Sequence, residues 1–338
     1  MNVHMMVYFS RQTAVQEVGI AGLKRLQSAK LTIVGTGGVG SAAAYFLASQ
    51  GIGHLRLIDQ DIVEESNLHR LMGVDHKDLH LPKAEVLARK LNSRHPWTET
   101  EAVVETLRTG NGSELLDQSD LIIDGTDNFR ARYVLNRFAV KNHTPYLFTS
   151  AIANQGHISL FNPPSTPCLE CLIQDSESMS AESCETLGVN PTTVGIIGTL
   201  AATETVKRIL ELPTNILGRL LTVDLAGPDF VFTGITKRHD CKVCNGSLSE
   251  TVHRDRVVML CGDNFANVLP EKDREIDLQS LKTKVPKESM VTSSESVFVY
   301  TRQSHRVSVF KTGRLMIGNV TTENRAMQIA REIWNEIR

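Results

Sequence analysis

The chain has 338 residues, of which 41% are hydrophobic and 22% charged, with a formal net charge of −2 at pH 7. That suits a globular protein with a large domain and a smaller one, or two of similar size, each able to bury a core. The near balance of charge gives no electrostatic case for binding nucleic acid or an anionic membrane surface. No apolar run reaches membrane-spanning length, and residues 1–9 lack the zones of a signal peptide, so a cytoplasmic protein is expected. Four of the six cysteines fall in two Cys-x-x-Cys pairs, which in a reducing compartment argues for metal rather than disulfides.

Residues 12–29 carry apolar positions at Val15, Val18, Leu23 and Leu26, the spacing of one or two amphipathic helices. Arg11, just before them, reads in isolation as a solvated surface residue. An apolar strand then feeds a Gly-x-Gly-x-x-Gly turn at Gly35, Gly37 and Gly40, and residues 41–49 read as a helix. This is the opening of a nucleotide-binding βαβ unit: the glycines admit a phosphate and the helix N-terminus offers it N–H groups. A second strand ends in Asp59, followed by Asp61.

A polar stretch through Arg70 precedes a helix over residues 81–91 with Pro82 in its first turn and Lys83 at its N-terminal end. Arg70 and Lys83 are either plain surface charges or phosphate contacts. Their place just past strand ends, where ligands of open α/β sheets bind, favours the second. Residues 98–104 and 120–125 read as strands, the latter buried on both faces, and residues 129–142 as a helix. Asp127 between them is either that helix's N-cap or a hard oxygen ligand for magnesium on nucleotide phosphates. Residues 144–149 and 156–161 are two more strands.

Cys168 and Cys171 with Cys241 and Cys244 form two knuckles that together close a tetrahedral zinc shell with no position for water, a structural site. Cys184 sits in a polar loop over residues 176–188, either as a nucleophile or as an incidental thiol. Residues 193–212 read as a long helix, and residues 220–224 and 229–236 as an antiparallel pair. Beyond residue 246 the texture changes to short strands at 256–262, 296–300 and 306–310, with helices at 277–284 and 322–337. Cys261 there reads as a small buried residue. The expected architecture is α/β: a Rossmann-like, doubly wound, mostly parallel sheet with antiparallel strands at one edge over residues 1–247, and a small α+β domain over 248–338.

The set Ser10-Arg-Gln12, the glycine turn, Asp59-Gln-Asp61, Ser66-Asn-Leu-His-Arg70, Pro82-Lys-Ala84, Thr126-Asp-Asn128, the two knuckles and Ser183-Cys184 resembles the E1-like adenylyltransferases, the family of MoeB, ThiF and the ubiquitin-activating enzymes. The match runs in order through the first 247 or so residues, departing at Leu71, where many members have glutamine after the arginine. Leu260-Cys-Gly262 and Phe310-Lys-Thr-Gly-Arg314 look like the small C-terminal extension of some ThiF-like proteins rather than a rhodanese domain.

The resemblance implies adenylation, with Mg2+ and ATP, of the C-terminal glycine of a small ubiquitin-like carrier ending in Gly-Gly, for sulfur transfer or conjugation. It implies that Gly35, Gly37, Gly38, Gly40, Asp61, Ser66, Leu68, His69 and Asn128 line the nucleotide site and that Asp59 holds the ribose. Asn67, Arg70 and Lys83 would contact phosphates, Asp127 would bind magnesium, Arg11 would enter the neighbouring site of a homodimer, and Cys184 would be the family's cysteine. The same glycine turn would serve an NAD-dependent oxidoreductase, and a non-catalytic adaptor could keep ATP binding alone. The extra cations, Asp127 and the closed cysteine site weigh against both.

Overall fold

A computed structural model describes residues 3–173, 187–247, 256–260, 264–271 and 274–337. Cys184 and Cys261 lie outside these residues. The chain divides into two compact units, Met1–Lys77 with Lys83–Thr251, and Asp78–Pro82 with Val252–Arg338.

The first unit opens with helices α1 (Val3–Tyr8), α2 (Ser10–Thr13) and α3 (Gly19–Ser28). It continues with β1 (Lys30–Val34), α4 (Gly38–Ser49), β2 (His54–Ile58), α5 (Lys83–Arg94), β3 (Glu99–Val103), α6 (Gly112–Leu116) and β4 (Leu121–Asp124). Then follow α7 (Phe129–Asn142), β5 (Tyr146–Ile152), β6 (Gln155–Phe161), α8 (Leu169–Leu172), α9 (Pro191–Ile209), β7 (Arg219–Asp224) and β8 (Asp229–Gly234).

The strands form one eight-stranded sheet in the order β3-β2-β1-β4-β5-β6-β7-β8. The first five in that order run parallel, and β6, β7 and β8 add antiparallel. Strand order reverses between β1 and β4, the crevice where open α/β sheets take ligands. Leu31, Ile33, Leu121 and Ile123 of these two central strands are almost fully buried, which explains their unbroken apolar runs.

Helix α9 begins at Pro191, two residues before the apolar pattern predicts, because Asn190 caps it by accepting a hydrogen bond from the Thr192 N–H and proline is preorganised for the first turn. It packs along α4 through small residues. A Cβ on Gly198 would lie 2.5 Å from Ala42 Cβ and 2.7 Å from the Val39 carbonyl oxygen. Ala43, Ile197 and Ala201 complete the contact inside the main core.

The second unit is a six-stranded antiparallel sheet, ordered β11-β12-β13-β14-β10-β9. Its strands are β9 (Val257–Leu260), β10 (Phe265–Val268), β11 (Met290–Ser293), β12 (Val297–Arg302), β13 (His305–Phe310) and β14 (Leu315–Ile317). Helix α10 (Leu278–Lys284) is capped by Asp277, and α11 (Glu323–Glu336) buries Ala326, Ile329, Ala330, Ile333 and Trp334 in that unit's core. Strands β10, β11 and β14 were not expected from the sequence, being three or four residues long, too short for a period of two to register.

Gly198→Ala is expected to push α9 and α4 apart, lowering stability by about 1–3 kcal/mol, the usual range for overpacking. Because α4 carries the glycine turn, nucleotide affinity should fall with it. Thermal unfolding and nucleotide titration of the variant check both, and an unchanged melting temperature would show that the helices can yield.

Candidate active site

The site is built on contact between two turns. Gly35, at φ +85°, leaves β1, and Gly125 leaves β4. A Cβ on Gly40 would sit 1.9 Å from the Gly35 carbonyl oxygen, and one on Gly125 would sit 2.3 Å from the same atom. No side chain fits at either place, so the two backbones lie directly against each other. The Gly125 N–H also donates to the Val34 carbonyl at 2.8 Å. Gly38 begins α4 and has Val194 of α9 against it.

Asp59 braces the turn from the end of β2. Its Oδ2 accepts from the Thr36 N–H at 2.6 Å and the Thr36 hydroxyl at 2.8 Å, and its Oδ1 accepts from the Asp61 N–H at 2.8 Å. A carboxylate offers about four lone-pair sites, so among the described residues one, on Oδ1, is left for a ligand hydroxyl. Burial raises the Asp59 carboxyl above the ordinary value, opposed by the charge of Lys83.

Lys83 is tied to Asp61 twice: its backbone N–H donates to the Asp61 carbonyl at 2.9 Å, and its Nζ to Asp61 Oδ2 at 2.9 Å. Burial alone would lower the lysine, but Asp61, Asp59 and, more weakly, Asp127 outweigh it and raise it, so Lys83 is a fixed cation. The sequence places these groups in three separate segments. The fold brings them within electrostatic reach of one another.

Asp127 is exposed, and it does not cap α7: the Asn128 side chain does, accepting from the Ala131 N–H at 2.9 Å. Of the two roles the sequence allows Asp127, helix cap or magnesium ligand, the first is thereby ruled out. Beneath it, Asp124 is fully buried, accepting from the Thr126 N–H at 2.9 Å, the Thr126 hydroxyl at 2.7 Å and the Tyr146 hydroxyl at 2.6 Å. Burial pushes this carboxyl up, against the pull of the buried Arg132 guanidinium.

The polar stretch folds into a 3-10 turn, Glu65–Asn67. Asn67 is buried there while Ser66 and His69 are exposed and Leu68 half-buried; Arg70 Nη1 donates to the Ser66 carbonyl at 2.8 Å. Arg11 lies exposed on α2, between Phe9, which is buried, and Gln12, whose amide donates to the Gln50 carbonyl at 2.8 Å.

The four knuckle cysteines converge as expected, their sulfurs all within 4.8 Å. The Cys168–Cys171, Cys168–Cys241 and Cys171–Cys244 sulfur pairs are 4.0, 3.7 and 3.6 Å apart. Tetrahedral zinc with bonds of about 2.3 Å puts sulfurs about 3.8 Å apart, so the donor set fits zinc. Helix α7 orients the first knuckle: Asn136 Oδ1 accepts from the Leu169 N–H at 2.9 Å, and Arg137 Nε donates to the buried Glu170 at 2.9 Å.

Sequence comparison matches residues 9–244 to the ThiF family model. The chain is 31% identical over 242 residues to a sulfur carrier protein adenylyltransferase of Thermus thermophilus, covering 70% of this chain and 89% of that one. It is 33% identical over 237 residues to the SAMP-activating enzyme E1 of Haloferax volcanii, covering 70% and 87%. To the adenylyltransferase and sulfurtransferase MOCS3 of Culex quinquefasciatus it is 30% identical over 311 residues, 90% of this chain and 68% of that relative. Among solved structures, E. coli MccB with ATP superposes with a TM-score of 0.60 at 23% identity, covering 67% of this chain and 68% of MccB, a likeness of fold.

Lys83→Met leaves Asp59 and Asp61 side by side without their cation. Wild-type Lys83, raised in the folded state, contributes stability at every pH below its unfolded value near 10.5, provided its carboxylates are ionised. In the variant the Asp59 carboxyl rises further, so the folded state gains protons and the repulsion eases as pH falls. The melting-temperature deficit should therefore be largest at neutral pH and shrink toward about pH 4. A deficit that does not change with pH would show that packing, not charge, is lost.

Proposed function

The chain belongs to the ThiF family of E1-like adenylyltransferases, and we propose that it uses Mg-ATP to adenylate the C-terminal glycine carboxylate of a small β-grasp carrier ending in Gly-Gly. The observation that carries this reading is the Lys83 cation, locked by Asp61 and Asp59 and within electrostatic reach of Asp127, beside the glycine turn. A hydride-transfer site has no need of it.

The chemistry asks for charge stabilisation rather than a base. The carrier's carboxylate is ionised at pH 7. One of its oxygens bonds to the α-phosphorus, the bond from that phosphorus to the bridging oxygen breaks, and pyrophosphate leaves with the electron pair. Lys83, Arg70 and Asn67 hold the phosphates, Gly35, Gly37, Gly38 and Gly40 admit them to the N-terminus of α4, and Asp59 takes a ribose hydroxyl on its remaining lone pair. Asp61 keeps Lys83 charged, and Ser66, Leu68, His69 and Asn128 line the pocket. Magnesium held by Asp127 would neutralise charge on the phosphates. Zinc held by Cys168, Cys171, Cys241 and Cys244 would be structural, because four thiolates fill its shell. In this reading Arg11 completes the neighbouring site of a homodimer and Cys184 serves a later transfer step, in a cytoplasmic pathway of sulfur transfer or conjugation. The second unit, in place of a rhodanese domain, helps dock the carrier or stabilise the dimer.

The test is exchange of labelled pyrophosphate into ATP, dependent on a carrier ending in Gly-Gly. Lys83→Ala and Asp127→Ala should each cost on the order of 3 kcal/mol in the transition state, about two powers of ten or more in rate, by analogy with loss of an oxyanion-hole donor. Exchange that needs no carrier, or that survives both substitutions, would overturn the reading.

A further inference from the structure

Arg132 was not singled out by its sequence context, yet it is among the most enclosed charged residues of the site, 4% exposed on the inner face of α7. Its guanidinium lies between two aromatic rings, 5.0 Å from the Phe129 centroid and 5.3 Å from that of Phe148. Nη2 donates to the Thr126 carbonyl at 2.8 Å and the Thr149 carbonyl at 3.3 Å, and Nε lies 3.7 Å from Asp124 Oδ2, in ion-pair range without a hydrogen bond. The Thr149 hydroxyl in turn donates to the Asp124 carbonyl.

Thr126 is therefore gripped at three atoms: its N–H and hydroxyl by Asp124, its carbonyl by Arg132. The Thr126 carbonyl belongs to the peptide plane that leads into Asp127, so fixing that oxygen fixes the plane on which Asp127 stands. On the other side Asn128 is held by its cap to Ala131. An exposed carboxylate is thus presented by a backbone anchored on both flanks, with Arg132 spanning from the β4 turn to the middle of β5. The rigid, planar guanidinium holds its donors to both carbonyls and toward the carboxylate in one fixed geometry, whereas a lysine's three donors turn about a compact, strongly hydrated point charge.

We propose that Arg132 is a positioning residue for magnesium: it touches neither nucleotide nor metal, and holds the Thr126–Asp127 peptide so that the Asp127 carboxylate meets the metal on ATP. This rests on the reading of Asp127 as the magnesium ligand. Displacements of about 1 Å at a reacting group cost up to two powers of ten in rate, so a looser Asp127 should be visible.

The experiment measures ATP binding to the full chain in EDTA and as a function of Mg2+, for wild type, Arg132→Lys, Tyr146→Phe and Asp127→Ala. Arg132→Lys should raise the half-saturating Mg2+ concentration on the order of tenfold and leave ATP affinity in EDTA unchanged. Tyr146→Phe, which takes one hydrogen bond from Asp124, should shift it the same way by less, and carries the test if the lysine variant does not fold. Asp127→Ala should remove the Mg2+ enhancement altogether. If Asp127→Ala keeps it, the reading of Asp127 falls, and this inference with it. If Asp127→Ala loses it while neither Arg132→Lys nor Tyr146→Phe shifts the Mg2+ dependence, Arg132 does not position the ligand. Equal loss of ATP affinity with and without Mg2+ in Arg132→Lys would show a general role in the pocket and also overturn the proposal.

Discussion

Two turns that leave no room for a Cβ hold this site together. Gly35 and Gly40 on one side and Gly125 on the other bring the ends of β1 and β4 into backbone contact. Parallel strands rise together and end at one edge of a sheet, so the contact places the glycine turn beside the acidic turn that follows β4. A methyl group at Gly125 would part them, and Asp127 would lose its place relative to Lys83. Asp59, clamped to Thr36, ties the end of β2 to the same turn.

The electrostatics follow from that geometry. Asp59, Asp61 and Lys83 sit close together, with the exposed Asp127 in electrostatic reach, and burial makes the Asp59 and Lys83 charges costly. The lysine is kept charged because Asp61 and Asp59 outweigh its desolvation, and the buried Asp124 has its own cation in Arg132. The site thus comes with cations already in position and a carboxylate at its edge, an arrangement suited to polyphosphate chemistry, in which stabilising charge is most of the catalytic task. The same helix α7 that carries Arg132 also holds the cysteine cluster, through Asn136 and Arg137. The cluster links the start of α8 to the segment after β8, two pieces of chain far apart in sequence.

Local patterns were readable where local physics determines them. The strand, turn and helix around Gly35–Gly40 follow from apolar runs and glycine spacing, helix α7 matches its expected bounds, and the four cysteines meet as their spacing requires. What stayed hidden depends on tertiary contact. Gly125 looks like an ordinary turn glycine until Gly35 is placed against it. Asp127 and Asn128 are both good caps, and only the fold shows which one is used. Arg132 reads as one more surface charge on a helix, although its spacing to Leu135, Asn136 and Ala139, all buried, puts it on the inward stripe; that signal was present and easy to pass over. The short strands β10, β11 and β14 carry too few residues to declare a period. The mostly parallel sheet with antiparallel strands at one edge, by contrast, was legible because strands alternating with helices leave few alternatives to it, although the strand order itself was not.

The central claim is that the α-phosphorus of ATP is the atom attacked, and the fate of its label tests this most directly. With a carrier ending in Gly-Gly and Mg2+, ATP labelled at the α-phosphate should transfer label to the carrier in a hydroxylamine-sensitive, acyl-adenylate form, whereas ATP labelled at the γ-phosphate should transfer none. Label reaching the carrier from the γ-phosphate would contradict the account, since it would make this site a phosphoryl rather than an adenylyl transferase.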